Sequence, residues 1–103
     1  MKISIIQQDI VWKSIHENIQ RADAAVDAAP GADLYVLPEM FSTGFCTDPE
    51  GIAECPDGES LSWMKSKASQ TGAAIAGSIA VCDEGRYYNR FYCKLAHNYK
   101  FWR

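Results

Sequence analysis

Short apolar runs alternating with stretches of helical apolar period constrain this chain more than any other feature. Residues 3–8 open with Ile3, Ile5 and Ile6, residues 33–37 read Asp-Leu-Tyr-Val-Leu before Pro38, and residues 74–81 are a run of small and branched apolar side chains. Each run is too short for a packed helix and has the length and content of a buried strand. Between the first two, Ile15, Ile19, Ala22 and Val26 recur at spacings of four, three and four. That spacing puts them on one face of a helix over residues 14–29, with Glu17, Gln20, Asp23 and Asp27 outside. Pro30-Gly31 ends this helix. A second helix is predicted over residues 60–71, with Leu61, Met64 and Ala68 on one face and Gly72 behind it. Residues 86–93 alternate enough to pair with 74–81 through the turn Asp83-Glu84-Gly85. The predicted order is β-α-β-loop-α-β-β, an α/β arrangement with a parallel start and an antiparallel hairpin at the end.

Composition narrows the class. With 48% hydrophobic and 22% charged residues the chain is neither disordered nor collagen-like, and 103 residues suffice for one small domain but not for two. The net charge of -3 gives no electrostatic footprint for nucleic acid or an anionic membrane. No apolar stretch has the length of a membrane span or a signal segment, and Cys46, Cys55, Cys82 and Cys93 are expected as reduced thiols, so a cytoplasmic location is expected. The gap from Cys46 to Cys55 is too wide for a zinc knuckle, and His16 and His97 fall on a helix and in the tail, so neither a metal nor a cofactor is expected. The charge is unevenly spread. Residues 1–93 hold seven basic and thirteen acidic side chains, whereas 94–103 hold Lys94, Lys100 and Arg103 and no acid. That tail has neither a helical nor a strand period and is expected to be a divergent segment, as a shifted reading frame would produce.

The loop over residues 40–58 is rich in Ser, Thr, Gly, Asp and Pro and long enough to suggest a functional role. At its start, Pro38-Glu39 sets a carboxylate at the C-terminal end of the second strand, the edge of an open α/β sheet where ligands and catalytic groups collect. Neighbouring Pro38, Met40, Phe41 and Phe45 suggest an apolar setting that would raise the pKa of Glu39 and suit it to proton transfer. A solvated loop glutamate is the alternative on these grounds alone.

Several segments resemble the N-terminal part of the nitrilase, or carbon-nitrogen hydrolase, superfamily, and its omega-amidase branch in particular. They are Ile3-Ser4-Ile5-Ile6-Gln7 with Trp12 and Asn18, then the run from Asp33 through Leu37-Pro38-Glu39-Met40-Phe41-Ser42-Thr43-Gly44-Phe45, then Ala76-Gly77-Ser78-Ile79 and Tyr88-Asn89-Arg90-Phe91. The resemblance implies that residues 1–93 are part of a four-layer α-β-β-α sandwich, which leaves sheet edges unpaired and one apolar sheet face uncovered. It also implies hydrolysis of the terminal amide of a small dicarboxylic acid by a Glu-Lys-Cys set, with a small-molecule amide substrate, no cofactor, and homo-oligomers for a complete member.

In that scheme Glu39 takes the proton of a nucleophilic thiol and passes it to departing ammonia, and a lysine stabilises the oxyanion. Phe41 and Phe45 would line the acyl pocket; core anchors are the alternative. The chain departs from the pattern beyond residue 93. Tyr99-Lys100-Phe101-Trp102 lacks the Asp between Tyr and Lys and the His-Leu that follows in the family, so Lys100 is a poor match for the family lysine. None of the four cysteines stands at the nucleophile position: Cys46 and Cys55 read as loop thiols, Cys82 and Cys93 as small hydrophobes on the hairpin. Only Glu39 of the catalytic set is present, and the chain alone is expected to be inactive. A non-catalytic product that associates through its open sheet edges is the rival reading.

Overall fold

A computed structural model describes residues 1–44, 50–95 and the backbone of 99–102. The elements follow as β1 (Ile3–Ile5), α1 (Ile15–Asp27), β2 (Leu34–Val36), α2 (Glu59–Thr71), β3 (Ala74–Asp83), β4 (Arg86–Lys94) and β5 (Tyr99–Trp102). The five strands form one sheet in chain order, with β1/β2 and β2/β3 parallel and β3/β4 and β4/β5 antiparallel. Two successive crossovers of the same hand put both helices on one face of the sheet.

The element types match the sequence reading, and the differences have local causes. The first strand is shorter than 3–8. Ile6 makes the last ladder bond, its N–H donating to the Val36 carbonyl at 2.8 Å, and beyond it the Gln8 side-chain Nε2 donates to the Asn18 carbonyl at 3.3 Å. The tail, which has no period of its own, pairs with β4 from Phe91↔Trp102 to Lys94↔Tyr99. A free strand edge is a row of backbone donors and acceptors, which recruits a neighbour regardless of side-chain pattern. At the hairpin, Glu84 and Gly85 have φ of 52° and 78°, the pair of left-handed residues that a two-residue turn matching the strand twist requires.

The core lies between sheet and helices. Ile19, Ala22 and Val26 of α1, Leu61, Met64 and Ala68 of α2, and Tyr35, Ile75, Ile79, Val81 and Tyr92 of the sheet are all buried. Helix α1 is tied to α2 by Lys67, whose side chain is 2% exposed and whose ammonium lies 2.9 Å from Asp23 and 2.6 Å from Asp27. Burial works against the charge on Lys67, but hydrogen bonds and attraction from the two carboxylates outweigh it and raise its pKa. Burial likewise pushes the Asp23 pKa up, and hydrogen bonds from Trp63 and Lys67 more than reverse this, leaving it lowered.

The opposite sheet face has no covering layer among the described residues. Ile3, Ile5, Tyr87 and Phe91 are 53%, 73%, 47% and 40% exposed there. Ala76, Ser78 and Ala80, smaller side chains on the same face, are buried.

Candidate active site

The site grows from the end of β2. The Leu37 N–H continues the ladder by donating to the Ala76 carbonyl at 2.8 Å, after which Pro38, lacking an N–H, ends the pairing. Glu39 follows, exposed, at the rim of an open cleft of about 290 Å³ lined by Leu37, Glu39, Gly77, Ser78, Asn89 and Phe91. The strand order makes this cleft possible. Ser78 stands opposite Phe91 across β3/β4, and Asn89 opposite Ala80, so the middle of the hairpin borders the end of β2.

The chain then turns sharply. Met40 has φ of 48°, its N–H donates to the Ser78 hydroxyl at 2.8 Å, and its carbonyl accepts from the Gly44 N–H at 2.8 Å and the Thr43 N–H at 3.2 Å. The turn directs Met40 and Phe41 into the core, where they are 4% and 0% exposed. The Phe41 ring packs 5.6 Å from that of Trp63. Gly77 makes room: a Cβ there would lie 3.0 Å from Leu37 Cβ and 3.5 Å from Phe41 Cδ1.

Two polar residues hold this turn in place, one fully buried and one half-buried. Asn18 of α1, 0% exposed, accepts from the Val11 N–H at 2.7 Å and donates to the carbonyls of Val11 at 2.6 Å and Ser42 at 2.9 Å. Glu54 works from the far end of the loop. Its backbone pairs beside Val81, donating to the Ala80 carbonyl at 3.0 Å and accepting from the Cys82 N–H at 2.8 Å. Its carboxylate accepts from the Ser60 N–H at 2.7 Å and from the Ser60 hydroxyl, which lies 2.8 Å from the Ser42 hydroxyl. Helix α2 has Gly58 at its N-cap and no side-chain cap of its own, so Glu54 supplies the missing acceptor.

The sequence reading and the geometry differ in two respects. Glu39 is exposed and not enclosed by its apolar neighbours: past the left-handed residue Met40, the Phe41 ring packs into the core against Trp63. Of the two readings open for Phe41, the structure places its side chain in the core cluster, and the residues lining the cleft do not include it. Phe45 and Cys46 lie outside the described residues, as does the side chain of Lys100, whose backbone pairs with Cys93. Cys55 is exposed, and Cys82 and Cys93 are half-buried thiols on the hairpin strands. Phe91 and Asn18 entered the sequence reading only as parts of the family resemblance, with no role at the site, and Glu54 carried no signal in sequence. Their roles depend on which loop each meets. A larger hollow of about 430 Å³ at the hairpin tip is lined by Asp83, Glu84, Arg86 and Tyr88, with Asp83 already paired to Arg90 at 3.1 Å.

An exposed carboxylate thus stands at the C-terminal end of a parallel strand, beside an open sheet face, and comparison with known proteins gives the family. Residues 2–94 match the carbon-nitrogen hydrolase family, and the chain belongs to it. It is 37% identical over 91 residues to omega-amidase YafV of Escherichia coli, covering 88% of this chain and 35% of that protein. It is 34% identical over 93 residues to the 2-oxoglutaramate amidase of Bacillus subtilis, covering 87% of this chain and 36% of that protein. Among solved structures, XC1258 of Xanthomonas campestris, a CN-hydrolase superfamily protein with an arsenic adduct in its active site, superposes with a TM-score of 0.92 at 29% identity. That match covers 98% of this chain and 39% of the other. The chain thus spans about a third of the length of the curated relatives it matches. Among the described residues no helix is long and apolar enough to cross a membrane.

Proposed function

We propose that this chain carries the proton-transferring carboxylate of an omega-amidase-like carbon-nitrogen hydrolase, acting on the terminal amide of a small dicarboxylic acid. The observation that carries the reading is the placement of Glu39 at the mouth of the β2-end cleft, within a segment that resembles omega-amidases. In the reaction, Glu39 accepts the proton of a cysteine thiol as the thiolate attacks the amide carbonyl. It returns that proton to the departing ammonia and then activates the water that cleaves the thioester. An exposed carboxylate at an open rim suits a group that must be covered by further chain before it can act in a dry site.

The 103 residues contain no Tyr-Asp-Lys segment, and Cys55, Cys82 and Cys93 do not line the cleft with Glu39. Among the described residues Glu39 therefore has neither a thiol nor a lysine beside it in the cleft. Incubated with 2-oxoglutaramate, it is expected to release no ammonia above background. Turnover that persists in Glu39→Gln overturns both the role of Glu39 and the account of the absent nucleophile.

A further inference from the structure

We infer that Ser78 is a positioning residue for Glu39, an inference that rests on the catalytic reading of Glu39 above. Glu39 lies between two fixed points. On one side Pro38 limits the backbone torsion it brings with it. On the other, both polar groups of Met40 are held: its N–H by the Ser78 hydroxyl at 2.8 Å, its carbonyl by Gly44 and Thr43. The peptide plane joining Glu39 to Met40 is therefore set by Ser78, and with it the torsion that decides where the Glu39 side chain leaves the turn.

The cost of this arrangement argues that it is needed. Met40 occupies the left-handed region, which a side chain with a Cβ adopts at a penalty, and Ser78 places a hydroxyl at a position only 7% exposed between the apolar residues of mid-strand β3. An alanine would pack as well on β3, between Ala76 and Ala80 on the same face, and would leave the Met40 N–H without its buried acceptor. Ser78 also borders the cleft with Glu39, so the residue that fixes the turn and the carboxylate it aims face the same space.

The test uses the whole 103-residue chain, isotope-labelled for NMR, with Ser78→Thr and Ser78→Val as a pair of equal shape that differ in the hydroxyl. In the unmodified chain the Met40 amide is expected to exchange with solvent about a hundredfold more slowly than in an unstructured peptide, although it lies outside any strand or helix. Ser78→Thr keeps that protection. Ser78→Val lowers it about tenfold, the loss expected for one buried hydrogen bond, and shifts the Cα and side-chain carboxyl carbons of Glu39 while the amides of Ile75 and Ile79 stay in place.

An unprotected Met40 amide in the unmodified chain, which needs no variant to fold, overturns the proposal. So does a Ser78→Val chain that matches Ser78→Thr at Glu39. These signals report where Glu39 points. A failure of the catalytic reading is seen separately, as amidase activity insensitive to Glu39→Gln.

Discussion

Replacing Asn18 by alanine should cost this chain roughly 2 kcal/mol, and the figure follows from three contacts. Asn18 makes hydrogen bonds of 2.6, 2.7 and 2.9 Å to Val11 and Ser42. The Ser42 carbonyl sits in a segment with no solvent access, so losing its donor leaves a buried acceptor unsatisfied at about 1–3 kcal/mol. Val11 is half-buried, and water can replace part of its two bonds, adding about 0.5 kcal/mol each. Alanine in the first turn of α1 returns about 0.5 kcal/mol of propensity at most. With a urea slope of roughly 1 kcal/mol per molar for a chain of this size, the unfolding midpoint falls by about 2 M. Asn18→Asp should fall further, because it places carboxylate oxygens against the Val11 and Ser42 carbonyls. Urea unfolding followed by circular dichroism measures both variants. A midpoint within about 0.5 M of the unmodified chain for Asn18→Ala would refute the idea that Asn18 clamps the Glu39 turn to α1.

Other perturbations follow from the same geometry. Gly77→Ala drives a Cβ to 3.0 Å from Leu37 Cβ and 3.2 Å from its Cδ1. The segment leading from β2 to Glu39 must shift, destabilising by about 1–3 kcal/mol in the same unfolding assay; an unchanged midpoint contradicts the close approach of Leu37 to β3. Lys67→Met removes the link between α1 and α2, and its effect should depend on pH. The lowered Asp23 pKa stabilises above the unfolded value near about 4 and is lost as pH falls through the folded value. The raised Lys67 pKa stabilises below about 10.4 and is lost as pH rises through the folded value. The gap in stability between the unmodified chain and Lys67→Met should therefore be widest between those limits and narrow beyond both. A gap that is flat across pH contradicts the ion-pair account.

How much of this was legible in sequence depended on whether a residue acts through its own strand or helix or through a distant loop. Ile19, Ala22 and Val26 announce the buried face of α1 by spacing, because helix burial is periodic. Leu37-Pro38-Glu39 announces a strand end and the carboxylate behind it, because proline stops the ladder wherever it falls. The direction of Met40 and Phe41 could not be read, since it depends on one left-handed torsion stabilised by Ser78, 38 residues away. The partners of Asn18 and Glu54 were opaque for the same reason: a polar side chain that braces a loop is defined by the distant groups it reaches. The pairing of the tail as β5 was hidden because edge pairing uses backbone, and the side chains of that segment carry no strand pattern.

The central claim, that Glu39 is the proton-transferring group of an amide hydrolase, is tested most directly where the rest of the catalytic set is present. Residues 2–94 can be exchanged for the matching segment of the Escherichia coli omega-amidase, to which the chain is 37% identical over 91 residues. The hybrid is predicted to release ammonia from 2-oxoglutaramate, with Glu39→Gln lowering kcat by about 10²–10⁴-fold and leaving KM nearly unchanged. A hybrid whose kcat survives Glu39→Gln within a few-fold contradicts the account.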